Sequence, residues 1–587
     1  MADIVIPDTI PAAIRQAERR FGECEAVLDQ GRRLSYAEFA ARIRQTAGAL
    51  LANGVGPGDR VCLWAPNRLE WMLVGLGAQY LGAVLVPLNT RYRGAEALDL
   101  LVRTRARLLV VDQRFLGTDY VGMLRAAAAD RLASDQVAGD QVAGDRVAGD
   151  RVAGDRVAAD RVAGGRVAGG RGPSPAVDEP DRAVPERAAV HPVDGLRQLA
   201  TIVDLAGLGT GCLSWPDFLG RATPASLQRA EVLAGQVNPD DIADILFTSG
   251  TTGRSKGAMS SQRRTLGMAR GWADRAQLSE EDRYLIVNPF FHSFGSKAGY
   301  LACLLTGALI VPHPVFDAAA VLDLVQRERI TVLPGPPAIY QALLEDAGLP
   351  SRDLSSLRLA VTGAAMVPQT LIRRMGAELR IRCTLTAYGL TEAPVVTMCT
   401  ENDDDETVAT TCGRPLEWAE VRIAAPGGAA MPGEVLIRGP YLMIGYLDDP
   451  QSTAAAIDAD GWLHTGDVGF LDERGYLRIT DRITDMFTVG GFNVYPAELE
   501  QVISAHPAVR DCAVIGVPDQ RLGEVGRAYV CTRPEAILDA EELIAYCRER
   551  LANFKVPRTV VLLDELPRNA GGKVVKPQLR QWALSGQ

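Results

Sequence analysis

The chain has 587 residues, 47% of them hydrophobic and 23% charged. It is too long for one ordinary domain and has the composition of a soluble globular protein. A formal net charge of −10 and a sequence pI near 5.3 argue against non-specific nucleic-acid binding, which needs a basic surface. The 10 cysteines stand singly from Cys24 to Cys547 with no C-x-x-C pair, which argues against zinc ribbons, thioredoxin-type sites and disulfide frameworks and fits a reduced, cytoplasmic protein.

The first residues have no basic start followed by an apolar run, so no secretory signal is expected. From Arg60 to Asp112, short apolar runs (61–64, 83–86 and 108–111) alternate with helical patterns. This alternation predicts an α/β unit with parallel strands. The most apolar stretch, 71–88, is interrupted by Gly75, Gly77, Gln79 and Gly82. It reads as a buried helix ending near Gly82 and a buried strand at 84–86, rather than a membrane span.

Residues 135–169 are a tandem pentapeptide, seven units of Asp-Gln/Arg-Val-Ala-Gly with small variations. A valine every five residues shifts by about 140° around a helix at each recurrence, so no single apolar face forms. Odd spacing also alternates faces in a strand, and Pro173, Pro175, Pro180 and Pro185 follow. The expectation is a disordered insertion over about 132–195, a tolerated tandem duplication at the surface. The glycine-rich aspartate nonapeptide of calcium-binding solenoids is absent.

The α/β texture returns after residue 240, at 245–247, 284–287, 308–311, 332–333 and 359–361. Gly-punctuated strands dominate from 434 to 477, which predicts a β-rich subdomain. From Asp481 the texture changes to a compact run with Lys573 and Lys576 near its end. The expected α/β architecture is a large N-terminal domain over 1–480, of stacked α/β subdomains plus the β-rich one, and a small α+β domain over 481–587.

The segment Phe247-Thr248-Ser249-Gly250-Thr251-Thr252-Gly253-Arg254-Ser255-Lys256-Gly257 follows an apolar strand. Glycines let backbone N–H groups converge on an anion, the hydroxyls add donors, and lysine adds a mobile positive charge. This composition suits a polyphosphate loop. It is not the P-loop of kinases and GTPases, because Lys256 precedes glycine and the other glycines are misplaced. Gly253 to Gly257 also matches the G-x-S-x-G nucleophile elbow, with Ser255 as nucleophile. An elbow needs an acid and then a histidine, and no downstream segment singles out either.

Four further segments follow in order: Thr386-Ala387-Tyr388-Gly389-Leu390-Thr391-Glu392, Gly461-Trp462-Leu463-His464-Thr465-Gly466-Asp467, Asp481-Arg482-Ile483-Thr484-Asp485, and Pro567-Arg568-Asn569-Ala570-Gly571-Gly572-Lys573. With the loop they resemble the adenylate-forming superfamily of acyl-CoA synthetases, peptide-synthetase adenylation domains and beetle luciferases. The resemblance covers nearly the whole chain outside the insertion. It implies ATP, Mg²⁺ and coenzyme A as cofactor and co-substrates, and a carboxylic acid as substrate.

The resemblance also implies roles. Thr248, Ser249, Thr251, Thr252 and Lys256 would grip the β- and γ-phosphates, with Gly250 and Gly253 in the same loop. Tyr388 would stack on adenine, with Gly363, Ala364 and Ala365 lining its other side and Gly389 beside it. Thr391 would touch the α-phosphate, and Glu392 with Thr248 would hold Mg²⁺. Asp467 would accept both ribose hydroxyls, a role suited to a carboxylate with two oxygens, and Arg482 would also reach the ribose. Lys573 would bridge the attacking carboxylate and the α-phosphate. His292, Gly295 and Gly389 would border the acyl pocket, and Gly490, Gly491 and Phe492 the thiol tunnel. The small domain would swing about a hinge at Thr484, presenting first Lys573 and then the tunnel segment.

Taken singly, Glu392 and Asp467 read as solvated loop carboxylates, Tyr388 as core and Lys573 as a surface lysine. The shared order reverses that reading for Lys256, Glu392, Asp467 and Lys573. For His292, a packed histidine beside a turn gives the same pattern. The sequence departs from the family at Ser255, where proline is usual, and at Thr484, commonly Asp or Lys.

Coenzyme A is the expected acceptor, since no carrier-protein domain follows residue 587; a ligase loading a separate carrier protein is the alternative. Residues 288–311 and 327–337 resemble actinobacterial ligases that activate the indanedione propanoate left from steroid-ring degradation. Small residues at Gly295, Gly299, Ala364 and Ala365 would suit a bulky rigid acid. Medium-chain fatty acids and aryl acids are the other candidates, and a non-catalytic nucleotide-binding protein is the second functional class. A homo-oligomer is compatible with the sequence.

Overall fold

Short runs of Val, Ile and Leu bounded by glycine and aspartate become the central strands of a large sheet. The computed structural model describes residues 7–113, 115–133, 196, 198–248, 255–363, 367, 369–424, 432–482, 485–489, 492–494, 496–519, 521–534, 536–551, 553–569 and 573–585, with the backbone alone at 481, 482, 488, 492 and 493. Arg60–Trp64 pairs in parallel with Val84–Pro87 on one side and Leu108–Val111 on the other. Thr201–Asp204 and then Leu213–Ser214 extend the parallel order beyond Leu108–Val111. Beyond Val84–Pro87 lies Ile242–Thr248, also parallel.

The parallel order stops there. Lys256–Ser261 folds back antiparallel on Ile242–Thr248, and Gly445–Tyr446 adds an antiparallel edge, completing an eight-stranded sheet. The strands expected at 61–64, 83–86 and 108–111 are parallel; the chain turns back after Thr248 because the glycine- and hydroxyl-rich loop is too short for a helical crossover.

Two four-stranded sheets make the second layer. One runs Arg283–Ile286, Leu309–Pro312, Glu25–Asp29, Arg32–Ser35; the other runs Leu359–Gly363, Cys383–Leu390, Ala393–Met398, Arg414–Pro415. The strand expected at 332–333 shrinks to Val332, whose bridges to Tyr284 and Leu359 join the two sheets.

Every residue of the helix Leu69–Tyr80 is buried. Gly82, at φ +75°, turns the chain directly into Val84–Pro87. Among the described residues no helix is long and apolar enough to cross a membrane. The helix Tyr36–Ala52 starts with a reciprocal capping box between Ser35 and Glu38, the signature that S-x-x-E carries in the sequence.

The strands Glu420–Ala424, Gly433–Arg438, Leu463–Leu471 and Leu477–Arg482 form an antiparallel sheet in chain order. This is the β-rich unit expected from the glycine-punctuated texture. The small C-terminal domain is built on the long hairpin Val509–Asp519/Gly523–Thr532. Alternate residues face opposite ways: Val514, Ala528 and Val530 pack with Leu499 and Leu543, while Ile515, Val517 and Tyr529 pack with Leu579 of the last helix. The protein is thus α/β, with a large N-terminal and a small C-terminal domain.

The tandem repeat, and the expected insertion from 134 to 195, lie outside the described residues, while Leu132 and Ala133 at its start are still helical. Its flanks are well anchored. Leu124 and Ala128 on one side and Leu196 and Leu199 on the other are buried in one core cluster. The parallel pairing of Leu108–Val111 with Thr201–Asp204 makes the whole segment a crossover between neighbouring strands.

A charged network ties the layers together. Arg32 bonds Glu70 Oε1 at 2.6 Å and Asp29 at 2.9 Å, while Arg68 bonds Glu70 Oε2 at 2.7 Å and Asp112 at 2.6 Å. Burial works against the Glu70 charge, but the two guanidiniums outweigh it and hold the carboxyl down at about 2. A depressed carboxyl pKa gives stability that is full above the unfolded value near 4.5 and is lost as pH falls toward 2. Glu70→Gln is expected to destabilise the fold by about 3 kcal/mol at neutral pH. It should also flatten the loss of stability between those two pH values, as read by denaturant unfolding. Deleting 135–169 should change the unfolding free energy by less than about 1 kcal/mol, the loop-closure contribution alone, and leave activity intact.

Candidate active site

The phosphate-loop candidate springs from an antiparallel hairpin. Thr248 and Lys256 are its last paired residues, and the Thr248 hydroxyl donates to the Lys256 carbonyl at 3.4 Å. Ser249, Gly250, Thr251, Thr252 and Gly253 lie outside the described residues. At the returning stem, Arg103 donates to the Ser255 carbonyl at 2.8 Å, and its guanidinium lies 5.2 Å from the Phe247 ring on the outgoing stem. Arg103 therefore braces both stems, at the position where Ser255 lacks the fixed φ of a proline.

Cys383–Leu390 and Ala393–Met398 form a second hairpin. Leu390 pairs with Ala393, so Thr391 and Glu392 are the whole of its two-residue turn. Two of the expected ligands thus stand side by side at a hairpin tip. The register slips between Tyr388 and Leu390, and a Cβ on Gly389 would lie 2.1 Å from the Pro394 carbonyl. Gly363, on the neighbouring strand, is held the same way: a Cβ would meet the Ala387 carbonyl at 2.6 Å. Ala364 and Ala365 fall outside the described residues.

Tyr388 donates its hydroxyl to Asp467 Oδ2 at 2.6 Å. Burial, and then the neighbouring carboxylate, push the phenol well above its ordinary pKa, so it remains a donor. Asp467 is only 4% exposed, and its strand partner is Arg482. The expected adenine-stacking and ribose-binding residues, 79 positions apart, are therefore in direct contact.

Lys256 and Glu392 meet through a residue that the sequence reading missed. The Tyr446 hydroxyl donates to Glu392 Oε1 at 2.7 Å, and the Lys256 ammonium lies 5.1 Å from the Tyr446 ring centroid. Burial, and then the Glu392 charge, hold the Tyr446 phenol far above its usual range. Nothing in the local sequence around Gly445-Tyr446 marks it as part of the site.

His292 follows a turn that is fixed from a distance. Buried Asn67 donates to the carbonyls of Ile286 and Asn288 at 3.2 and 2.8 Å and accepts from the Phe290 N–H at 2.7 Å. The Phe294 N–H donates to His292 Nδ1 at 3.2 Å, which assigns the proton of the neutral imidazole to Nε2. His292 is exposed, yet the surrounding protein atoms and then the Lys573 ammonium lower its pKa to about 4. Lys573, from the small domain, is thus near enough to His292, on the large one, for its charge to be felt there. Its loop is closed by Asn569, whose side-chain oxygen accepts from the Lys573 N–H at 3.0 Å while its N–H donates to the Lys573 carbonyl at 2.8 Å.

Behind His292 the chain enters a buried π-helical segment, Ser296–Leu301, broken at Gly299. Lys297, 2% exposed, lies 3.0 Å from Asp244 and donates to Ser260 at 2.9 Å. Both partners are on the phosphate-loop hairpin, so this ion pair ties that hairpin to the His292 wall. Gly295 and Gly299 have a local explanation. A Cβ on Gly295 would lie 2.2 Å from the Pro289 carbonyl, and one on Gly299 would lie 3.2 Å from the Ile286 side chain. Their smallness serves chain packing and does not by itself describe the acid. The hinge position Thr484 and the tunnel residues Gly490 and Gly491 lie outside the described residues, and of Phe492 only the backbone strand is described.

Among the described residues no group of three or more His, Cys, Asp or Glu side chains could hold a metal ion by itself. A lone carboxylate at a loop tip beside a phosphate-loop candidate nevertheless fits Mg²⁺, which is commonly held by one or two carboxylates plus substrate phosphates.

Comparisons with known proteins agree with this geometry. Residues 14–447 match the model of the AMP-binding enzyme family, and residues 498–573 match the AMP-binding enzyme C-terminal domain. A methyl-dioxo-octahydroindenyl-propanoyl:CoA ligase of Rhodococcus jostii is 47% identical over 98% of this chain and 99% of its own length. A ligase of the same name from Mycobacterium tuberculosis is 47% identical over 98% of each chain. The solved structure of the anthranilate CoA ligase AuaEII with anthranoyl-AMP superposes with a TM-score of 0.79 at 25% identity, covering 100% of this chain and 99% of the other. The chain belongs to the AMP-binding enzyme family, the adenylate-forming enzymes, and is an ATP-dependent acyl-CoA ligase of its acyl-CoA synthetase branch.

Proposed function

We propose that the acid is a bulky fused-ring propanoate of the kind named for the Rhodococcus and Mycobacterium relatives. The observation that carries this reading is 47% identity to both over nearly the full length. ATP and coenzyme A are the co-substrates, drawn from the cytoplasm.

In the first step a carboxylate oxygen attacks the α-phosphorus, the bond to pyrophosphate breaks, and the acyl-adenylate forms. Both reactants are anionic, so the site must offset negative charge as the transition state forms. We assign that task to Lys573, supported by its field at His292. Lys256, Thr248 and the loop hydroxyls take the β- and γ-phosphates, and Thr391 the α-phosphate. Tyr388 and Gly363, with Ala364 and Ala365, take the adenine; Asp467 and Arg482 take the ribose. Glu392, with Thr248, would hold Mg²⁺, which when bound would neutralise phosphate charge. His292, neutral at physiological pH, borders the acid. In the second step the thiol attacks the acyl carbonyl, loses its proton, and AMP leaves.

The two domains divide near residue 481, at the end of the strand Leu477–Arg482. A swing about Thr484 exchanges Lys573 for the segment 490–492 between the steps.

Incubation with ATP, coenzyme A and a panel of carboxylates tests the acid. Pyrophosphate release and thioester formation should be greatest with the fused-ring propanoate; preference for a medium-chain fatty acid or an aryl acid would overturn the reading. Lys573→Ala should lower acyl-adenylate formation by about 100- to 1,000-fold, the range for removing one transition-state charge partner. In the same variant the His292 pKa should rise from about 4 toward its ordinary value near 6.5 without reaching it, because burial remains. NMR titration of the imidazoles reads that shift.

A further inference from the structure

The segment from Leu442 to Leu447 touches both halves of the expected MgATP site. Its backbone is held on the phosphate-loop hairpin by two bonds: the Ile444 N–H donates to Met259 O at 2.7 Å, and the Leu447 N–H to Gly257 O at 2.8 Å. Arg264 holds the same segment from the following helix by donating to the Leu442 and Met443 carbonyls at 2.5 and 2.9 Å. The Met443 N–H donates to the Glu392 carbonyl at 2.8 Å, so the second hairpin is fixed to the strap as well. Tyr446 completes the connection with its side chain. Its hydroxyl fixes one oxygen of Glu392, and its ring face lies near the ammonium of Lys256.

We propose that Tyr446 is a positioning residue: its hydroxyl orients the Glu392 carboxylate for Mg²⁺, and its ring steers the Lys256 ammonium toward the phosphates. A carboxylate on a two-residue turn can rotate about its side-chain bonds; a donor fixed on a neighbouring strand removes that freedom before the ion arrives. Groups of this kind behind a metal ligand typically change metal affinity by about 10- to 100-fold. The ring contact is the weaker of the two, and its loss changes an equilibrium by roughly 2- to 30-fold.

The inference rests on the reading of Glu392 as the Mg²⁺ ligand, and the experiment separates the two. ATP binding is measured calorimetrically over a range of Mg²⁺ concentrations, without acid or coenzyme A, so that no turnover is involved. Tyr446→Phe keeps the ring and loses the hydroxyl. It should need about 10-fold or more Mg²⁺ for half-maximal enhancement of ATP affinity, while affinity at saturating Mg²⁺ changes little. Tyr446→Leu should in addition weaken ATP binding at saturating Mg²⁺ by roughly 2- to 30-fold. Glu392→Gln should abolish most of the Mg²⁺ dependence. If Glu392→Gln does so and Tyr446→Phe leaves the dependence unchanged, Tyr446 is not a positioning residue. If Glu392→Gln keeps the dependence, the Glu392 reading itself fails. Thermal unfolding of each variant shows that the fold is retained, and Tyr446→Phe, which preserves the ring packing, keeps the comparison valid if Tyr446→Leu does not fold.

Discussion

The antiparallel hairpin Ile242–Thr248/Lys256–Ser261 is the element on which the rest of the site depends. It leaves an otherwise parallel sheet at the point where Val84–Pro87 meets Ile242–Thr248. Its tip carries the candidate phosphate loop. Its stems carry Asp244 and Ser260, which hold Lys297 and through it the His292 wall. Its outer edge pairs with Gly445–Tyr446, which reaches Glu392. A displacement of this hairpin would therefore move Lys256, the His292 wall and Glu392 together.

Electrostatics explains why so many groups converge on one element. A carboxylate attacking a polyphosphate brings like charges together in a protein that is itself net negative. Local cations must offset that charge, and they must be placed before the reaction. The proposed cations, Lys256 and Lys573, come from different domains; the first lies near the Tyr446 ring, and the Asn569 turn closes on the backbone of the second. The Lys297–Asp244 pair has a different character. It is almost fully buried, and its members neutralise each other. It fixes elements relative to one another, a role in which loss of one partner leaves an uncompensated buried charge.

The site residues differ in how much of their setting is local. Thr391 and Glu392 form a two-residue turn, so their proximity follows from the chain itself. Tyr388 and Asp467 touch only because the hairpin that carries Tyr388 lies against the strand Leu463–Leu471. The glycines show the same contrast. Gly82 is needed for a turn, whereas Gly295 and Gly389 are needed because a carbonyl from the preceding turn or from the paired strand occupies the space of a Cβ.

The sequence by itself determined four strands of the large sheet, at 61–64, 83–86, 108–111 and 245–247, the buried helix Leu69–Tyr80, the β-rich unit and the family, through apolar periodicity and five ordered motifs. These features are local, since each is written in residues close together along the chain. It also placed Thr391 with Glu392. Tertiary structure alone decided that the sheet turns antiparallel at the candidate phosphate loop, and that the strand expected at 332–333 is the single bridging residue Val332. It alone brought Tyr446, Asn67, Arg103 and Lys297 to the site. Their partners lie between 37 and 223 residues away, and a hydrogen bond or ion pair over such a separation leaves no periodicity or motif to read. It also gave Gly295 and Gly299 a packing reason for their small size, because the atoms that face them are set by the fold.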